Sequence, residues 1–159
     1  MPGRTSALEQ YNSARRKEQN DTIDGRDDLI KILLTERKDV PKESRVINPT
    51  QVSFLQDSKP VKAYMGPGGS GKTMIGVAEI IMLALSIPDS KWGICRRDYN
   101  DLKNTTMRKC YEMLARLPDG IILDRVRTPP ETIWLKPIAS RENPNPAPSS
   151  ITFLGLSDW

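Results

Sequence analysis

The sequence predicts an α/β fold with a mainly parallel sheet, a β-hairpin and a polar N-terminal arm, and three observations carry that expectation. From Asn48 onward, apolar runs of strand length alternate with segments of helix length. A glycine-rich loop joins one such run to a helix. The first 25 residues hold few apolar side chains beyond Leu8 and Tyr11, too few to bury much surface.

The elements follow in order. Residues 1–45 read as a polar arm, disordered or loosely helical, carrying one short helix in which Asp27 and Asp28 precede the apolar cluster Leu29, Ile30, Ile32, Leu33 and Leu34. That helix ends before Pro41, and residues 46–159 form the folded unit. Val61–Met65 reads as a buried strand leading into the loop. Lys72–Ile87 is apolar nearly all round, with Glu79 its only charge beyond Lys72, which describes a helix packed between a sheet and other elements. Trp92–Cys95 reads as a strand and Asn100–Leu117 as a helix that turns Leu102, Met113, Leu114 and Leu117 to the sheet. After the turn signal Pro118-Asp119-Gly120, Ile121–Val126 and Thr132–Leu135 form a hairpin about Thr128-Pro129-Pro130. A loop from Pro144 to Ser150 precedes a last strand, Ile151–Leu154. There is no internal repeat and no sustained heptad.

Composition narrows the chemistry. The chain has 159 residues, enough for one domain with a core. Histidine is absent, which excludes a Ser-His-Asp or Cys-His mechanism and any histidine-ligated metal. Cys95 and Cys110 do not form a close pair, so neither a disulfide framework nor a zinc site is indicated. No apolar run reaches the length of a membrane span, and the charged N-terminus lacks a signal-peptide stretch, so neither secretion nor membrane insertion is expected. The net charge of +4 is unevenly laid out: residues 91–127 hold 9 basic and 5 acidic side chains, so the surplus is local. It suits a phosphate-bearing partner or a solvated helix face equally well.

The motif G-x-x-x-x-G-K-[ST] is complete in Gly66-Pro67-Gly68-Gly69-Ser70-Gly71-Lys72-Thr73, and it opens a predicted helix. Glycines let the backbone approach phosphate oxygens closely, and the amide N–H groups with the helix N-terminus face the anion. Lys72 would reach the β and γ phosphates of ATP, and the Thr73 hydroxyl would help to hold Mg²⁺. Upstream, Gln51 in Asn48-Pro49-Thr50-Gln51 can donate and accept at once, which suits an adenine edge; it also fits a solvent-facing glutamine at a helix start.

Together, Asn48-Pro49-Thr50-Gln51 with Phe54 and Leu55, the loop Gly66–Thr73, and Arg96-Arg97 followed by Tyr99, Leu102 and Thr105 resemble the large terminase subunit of tailed bacteriophages. The resemblance covers about residues 46–159 and includes the last strand, Ile151-Thr152-Phe153-Leu154. It implies part of a three-layer P-loop ATPase core. It also implies ATP hydrolysis with Mg²⁺, driving double-stranded DNA into a procapsid in the host cytoplasm. The implied partners are the portal protein, a small terminase subunit and further copies of the chain in a ring. The Walker B acids, the coupling motif and the nuclease domain of that family are expected beyond Trp159. Gly120-Ile121-Ile122-Leu123-Asp124 has the outline of a Walker B strand, but Arg125 stands where a Glu is wanted. Many terminases carry an arginine where Gly68 stands here, so Arg96, Arg97 or a neighbouring subunit would have to supply that charge. Arg96 is carried over as a candidate catalytic sensor, with a structural role equally open.

Two other classes compete. A superfamily 1 DNA helicase also places a glutamine ahead of such a loop, but Cys95-Arg96-Arg97-Asp98-Tyr99 fits its next motif poorly. A catalytically incomplete nucleotide-binding module accounts for the loop without a second Mg²⁺ ligand.

Overall fold

The computed structural model describes residues 26–35, 48–140 and 143–158. The expectations placed on residues 1–25, on the helix end before Pro41 and on the boundary at 45/46 therefore lie outside the described residues.

Helix α1 (Arg26–Thr35) forms where Asp27 and Asp28 put negative charge in the first turn. Leu29, Ile30 and Leu33 share one face and are buried. The Arg116 guanidinium donates to the Leu33 carbonyl at 2.6 Å, satisfying an acceptor that the helix end leaves open. Helix α2 (Pro49–Gln56) has Asn48 as its N-cap, accepting from the Thr50 amide at 2.9 Å, and Pro49 at its first position. Its buried residues are Gln51 and Leu55.

Helix α3 (Lys72–Ser86) is the centre of the core, with Ile75, Val77, Ala78, Ile81, Met82, Ala84 and Leu85 buried. It stops one residue short of the expected Ile87, which is extended because Pro88 follows. The segment expected as one helix over 100–117 starts at Tyr99 and is not uniform. A short α4 (Tyr99–Asp101), N-capped by Asp98, widens into a π-helical stretch over Leu102–Met107, and α5 (Arg108–Leu114) completes it. Leu102, Met113, Leu114 and Leu117 all lie in the core, as their spacing requires.

Four strands make one sheet: β1 (Lys91–Arg96), β2 (Ile122–Val126), β3 (Thr132–Leu135) and β4 (Ser149–Gly155), in the order β1-β4-β3-β2. Only β1 and β4 are parallel; β3 runs antiparallel to both β4 and β2. The expected mainly parallel sheet is therefore corrected to a mostly antiparallel one. The hairpin about cis Pro129-Pro130 forms as expected, and β4 then pairs back onto it.

The second correction concerns Val61–Met65, which forms no strand. Val61 and Met65 are 85% and 90% exposed. An apolar run becomes a strand only where a neighbour accepts its ladder, and here β1 is an edge of the sheet and has a single partner.

Register sorts the two faces of the sheet. Ile133 pairs with Ile151, and Trp92 and Ile94 pair with Ile151 and Phe153, so these side chains share the face packed under the helices. Thr132, Trp134, Thr152 and Leu154 alternate to the opposite face and are half-buried.

Candidate nucleotide site

The loop Gly66–Thr73 closes on its own lysine. Lys72 Nζ donates to the carbonyls of Gly66 at 2.7 Å and Pro67 at 2.6 Å, so the chain curls around an ammonium carried on the first residue of α3. Gly71 makes the turn into the helix possible. Its φ is +83°, and a Cβ there would lie 2.5 Å from Gln51 Nε2. At Gly68, in contrast, a Cβ meets nothing within 4 Å, so the loop has room there for a side chain. Ser70 Oγ is buried without a hydrogen-bond partner among the described residues.

Gln51 is 8% exposed and its side-chain amide donates to the Ser70 carbonyl at 3.4 Å. It is therefore not the solvent-facing glutamine that a helix start allows; α2 sets it against the loop from 19 residues upstream. Nothing within α2 announces that contact, which depends on how α2 and α3 pack.

Thr73 is exposed and lines a groove of about 760 Å³ between α3, residues 57–62 and the open edge of β1. The opposite wall carries Trp92, Ile94, Cys95 and Arg96, with Thr106 beside them. The structure thus brings Arg96 to the same groove as Thr73. Arg96 Nη1 donates to the Thr105 hydroxyl and to the Asp101 carbonyl. Arg97 is exposed, and its carbonyl accepts from the Ser157 amide at 2.9 Å.

Two carboxylates line the groove, and both are engaged. Glu79 accepts from Lys62 Nζ at 2.6 Å, with only 12% and 11% of the two side chains exposed. Lys62 also donates to the Phe54 carbonyl and lies 5.2 Å above the Phe54 ring. Asp57 accepts from the Lys59 amide at 3.0 Å, and the Lys59 ammonium lies 3.9 Å from its other oxygen. The Lys62–Glu79 pair had a legible signal: each is the lone charge within an apolar run, and buried lone charges must pair. Asp124 is not brought to the loop. It is exposed on β2, at the opposite edge of the sheet from β1, and accepts from the Arg125 amide.

The basic stretch is partly neutralised. Arg108 and Lys109 both pair with Glu112, holding its carboxyl below the usual range, chiefly through the hydrogen bond from Lys109. Arg116 is committed to the Leu33 carbonyl. Lys103 remains exposed, with no partner among the described residues.

A separate polar cluster sits under the hairpin. Buried Glu131 accepts from the hydroxyls of Tyr99 at 3.4 Å and Tyr111 at 3.3 Å, and Arg125 stacks 4.9 Å from the Tyr111 ring. Burial first, and Glu131 second, push the Tyr111 phenol above its ordinary value, while burial pushes the neighbouring Cys110 thiol up to about 12. Among the described residues, no three His, Cys, Asp or Glu side chains form a group able to hold a metal, and no helix is long and apolar enough to cross a membrane.

No protein-family model, no curated protein and no solved structure matches this chain.

Proposed function

We propose that this chain is the ATP-binding portion of a phage terminase large subunit, the motor that packages double-stranded DNA into procapsids. The observation that carries the reading is the loop itself: glycine at the left-handed turn, Lys72 wrapped by the carbonyls of Gly66 and Pro67, and a 15-residue helix starting at that lysine. Such a helix start offers unpaired amides and a positive dipole end to an anion. The buried Ser70 hydroxyl, which has no partner among the described residues, fits the same anion.

In this reading the backbone of Gly66–Gly71 cradles the phosphates, and Lys72 exchanges its two carbonyl acceptors for phosphate oxygens. Thr73 would help to hold Mg²⁺ through its hydroxyl, and the ion would offset charge on the phosphates. Gln51 orders the loop through Ser70 and, where its amide is released, reads the adenine edge. Arg96 stands across the groove as the candidate sensor. The portal protein, a small terminase subunit, a homo-oligomeric ring and the host cytoplasm belong to the same proposal.

One observation favours a second reading for these 159 residues alone, a nucleotide-binding module with little or no turnover. Both groove carboxylates are held by lysines, and Asp124 lies at the far edge of the sheet. Calorimetric titration with Mg·ATP, paired with a hydrolysis assay, tests both. Binding that Lys72→Ala abolishes, with no turnover, supports an ATP-binding portion that lacks its acids. Turnover that depends on Lys72 would reject the incomplete module, and binding indifferent to Lys72→Ala would reject the nucleotide site altogether.

A further inference from the structure

Arg96 ends β1 where the chain turns into the helical segment over 99–114, and its guanidinium is not left loose there. Nη1 donates to the Thr105 hydroxyl and, at 3.5 Å, to the Asp101 carbonyl; the Thr105 hydroxyl donates to that same carbonyl. One carbonyl, one hydroxyl and one guanidinium nitrogen thus close a three-membered network. It lies where α4 widens into the π-helical stretch over Leu102–Met107. Widened turns of this kind recur at functional sites, because they offer backbone acceptors that a regular α-helix keeps for itself.

The network commits one nitrogen of Arg96. Its Nε and Nη2 have no protein acceptor among the described residues, although Arg96 lines the groove that Thr73 lines. A guanidinium anchored by one nitrogen keeps a planar pair of N–H donors, which matches two oxygens of a phosphate. A lysine in the same place would offer a point charge without that match.

We infer that Thr105 is a positioning residue: it holds Arg96 so that the unengaged edge of the guanidinium meets the terminal phosphate of a nucleotide on the Gly66–Thr73 loop. The inference rests on the reading of that loop as a nucleotide site. It places the discrimination of triphosphate from diphosphate in the Thr105–Arg96 pair, while Lys72 and the loop backbone serve both ligands.

The test is calorimetric binding of Mg·ATP and Mg·ADP to the full 159-residue chain and to the variants Thr105→Val, Thr105→Ser, Arg96→Lys, Arg96→Ala and the double variant Arg96→Ala with Thr105→Val. Thr105→Val keeps the side-chain shape and loses the hydroxyl. It is expected to weaken ATP binding about tenfold, the scale of one charge-assisted hydrogen bond, while ADP binding changes less than about twofold. Thr105→Ser is expected to restore the preference, Arg96→Lys to lose it, and Thr105→Val to add nothing once Arg96 is Ala. Equal weakening of ATP and ADP would mean that Thr105 only ties helix to strand, and would overturn the inference. So would an unchanged preference in Arg96→Lys, which decides the matter if Thr105→Val fails to fold. Lys72→Ala separates the two levels: if it leaves ATP binding intact, the nucleotide site itself fails, whereas if it abolishes binding and the Thr105 and Arg96 variants keep the preference, only the positioning role fails.

Discussion

The interior of the sheet and its β1 edge are built differently. In the interior, where β3 and β4 pair, strand, helix and core support one another: Ile133 pairs with Ile151, Phe153 and Leu135 are fully buried, and Glu131 collects two tyrosine hydroxyls. At the β1 edge the strand has one partner, a groove of about 760 Å³ lies beside it, and Val61 and Met65 stand in the open. The first region is arranged for stability. The second leaves Thr73 and Arg96 on the walls of an open space.

The contrast can be broken from either side. Phe153→Ala, at the packed side, removes a fully buried ring and is expected to cost about 3–5 kcal/mol in urea unfolding. Nucleotide affinity per folded molecule should be unchanged, and a matching loss of affinity would mean that the two regions are not separable.

Alkaline pH should strike the same packed side. The Cys110 thiol is raised to about 12 from its ordinary 9.0, and the Tyr111 phenol is raised as well, so both stay protonated in the folded chain after the unfolded chain has lost those protons. Stability is then complete below about pH 9 and falls as pH rises toward 12. The thiol's three pH units, at about 1.36 kcal/mol each, bound its share at about 4 kcal/mol. Cys110→Ala should flatten the loss, measured as urea midpoint against pH; an identical slope in that variant would contradict the assignment.

On the groove side, Lys62→Ala leaves Glu79 as a buried charge without its lysine and is expected to cost about 3 kcal/mol. Adding Glu79→Gln should recover most of that, because the charge left behind is removed. Additive losses in the double variant would show that the two residues act independently. Gly71→Ala is the smallest of these changes, about 1–2 kcal/mol, from its positive φ and the clash with Gln51. Gly68→Ala should be close to neutral in the same urea unfolding, since the space there is empty.

Local signals carried further than pairing did. Pro88 marked the end of α3 and Pro118-Asp119-Gly120 the turn before β2, because helix-stop and turn chemistry act over a few residues. Partners are another matter. An apolar run such as Val61–Met65 looks the same whether or not a neighbouring strand accepts it, and the alternation of elements suggested a parallel sheet without saying that β4 would join β1 to an antiparallel hairpin. The site divides along the same line. The loop is legible because its glycines and lysine are consecutive in sequence. The lone charges of Lys62 and Glu79 signal a pair, but the burial of Gln51 against Gly71 and the convergence of Arg96 and Thr73 on one groove arise from packing between residues distant in the chain.

Amide hydrogen exchange of the chain with and without Mg·ATP tests the central claim most directly, because it reads the loop and the sheet at once. The account predicts slowed exchange over residues 66–75 and little change in β2 and β3. Exchange unaltered in the loop at saturating Mg·ATP, or slowed only in the hairpin, would contradict it.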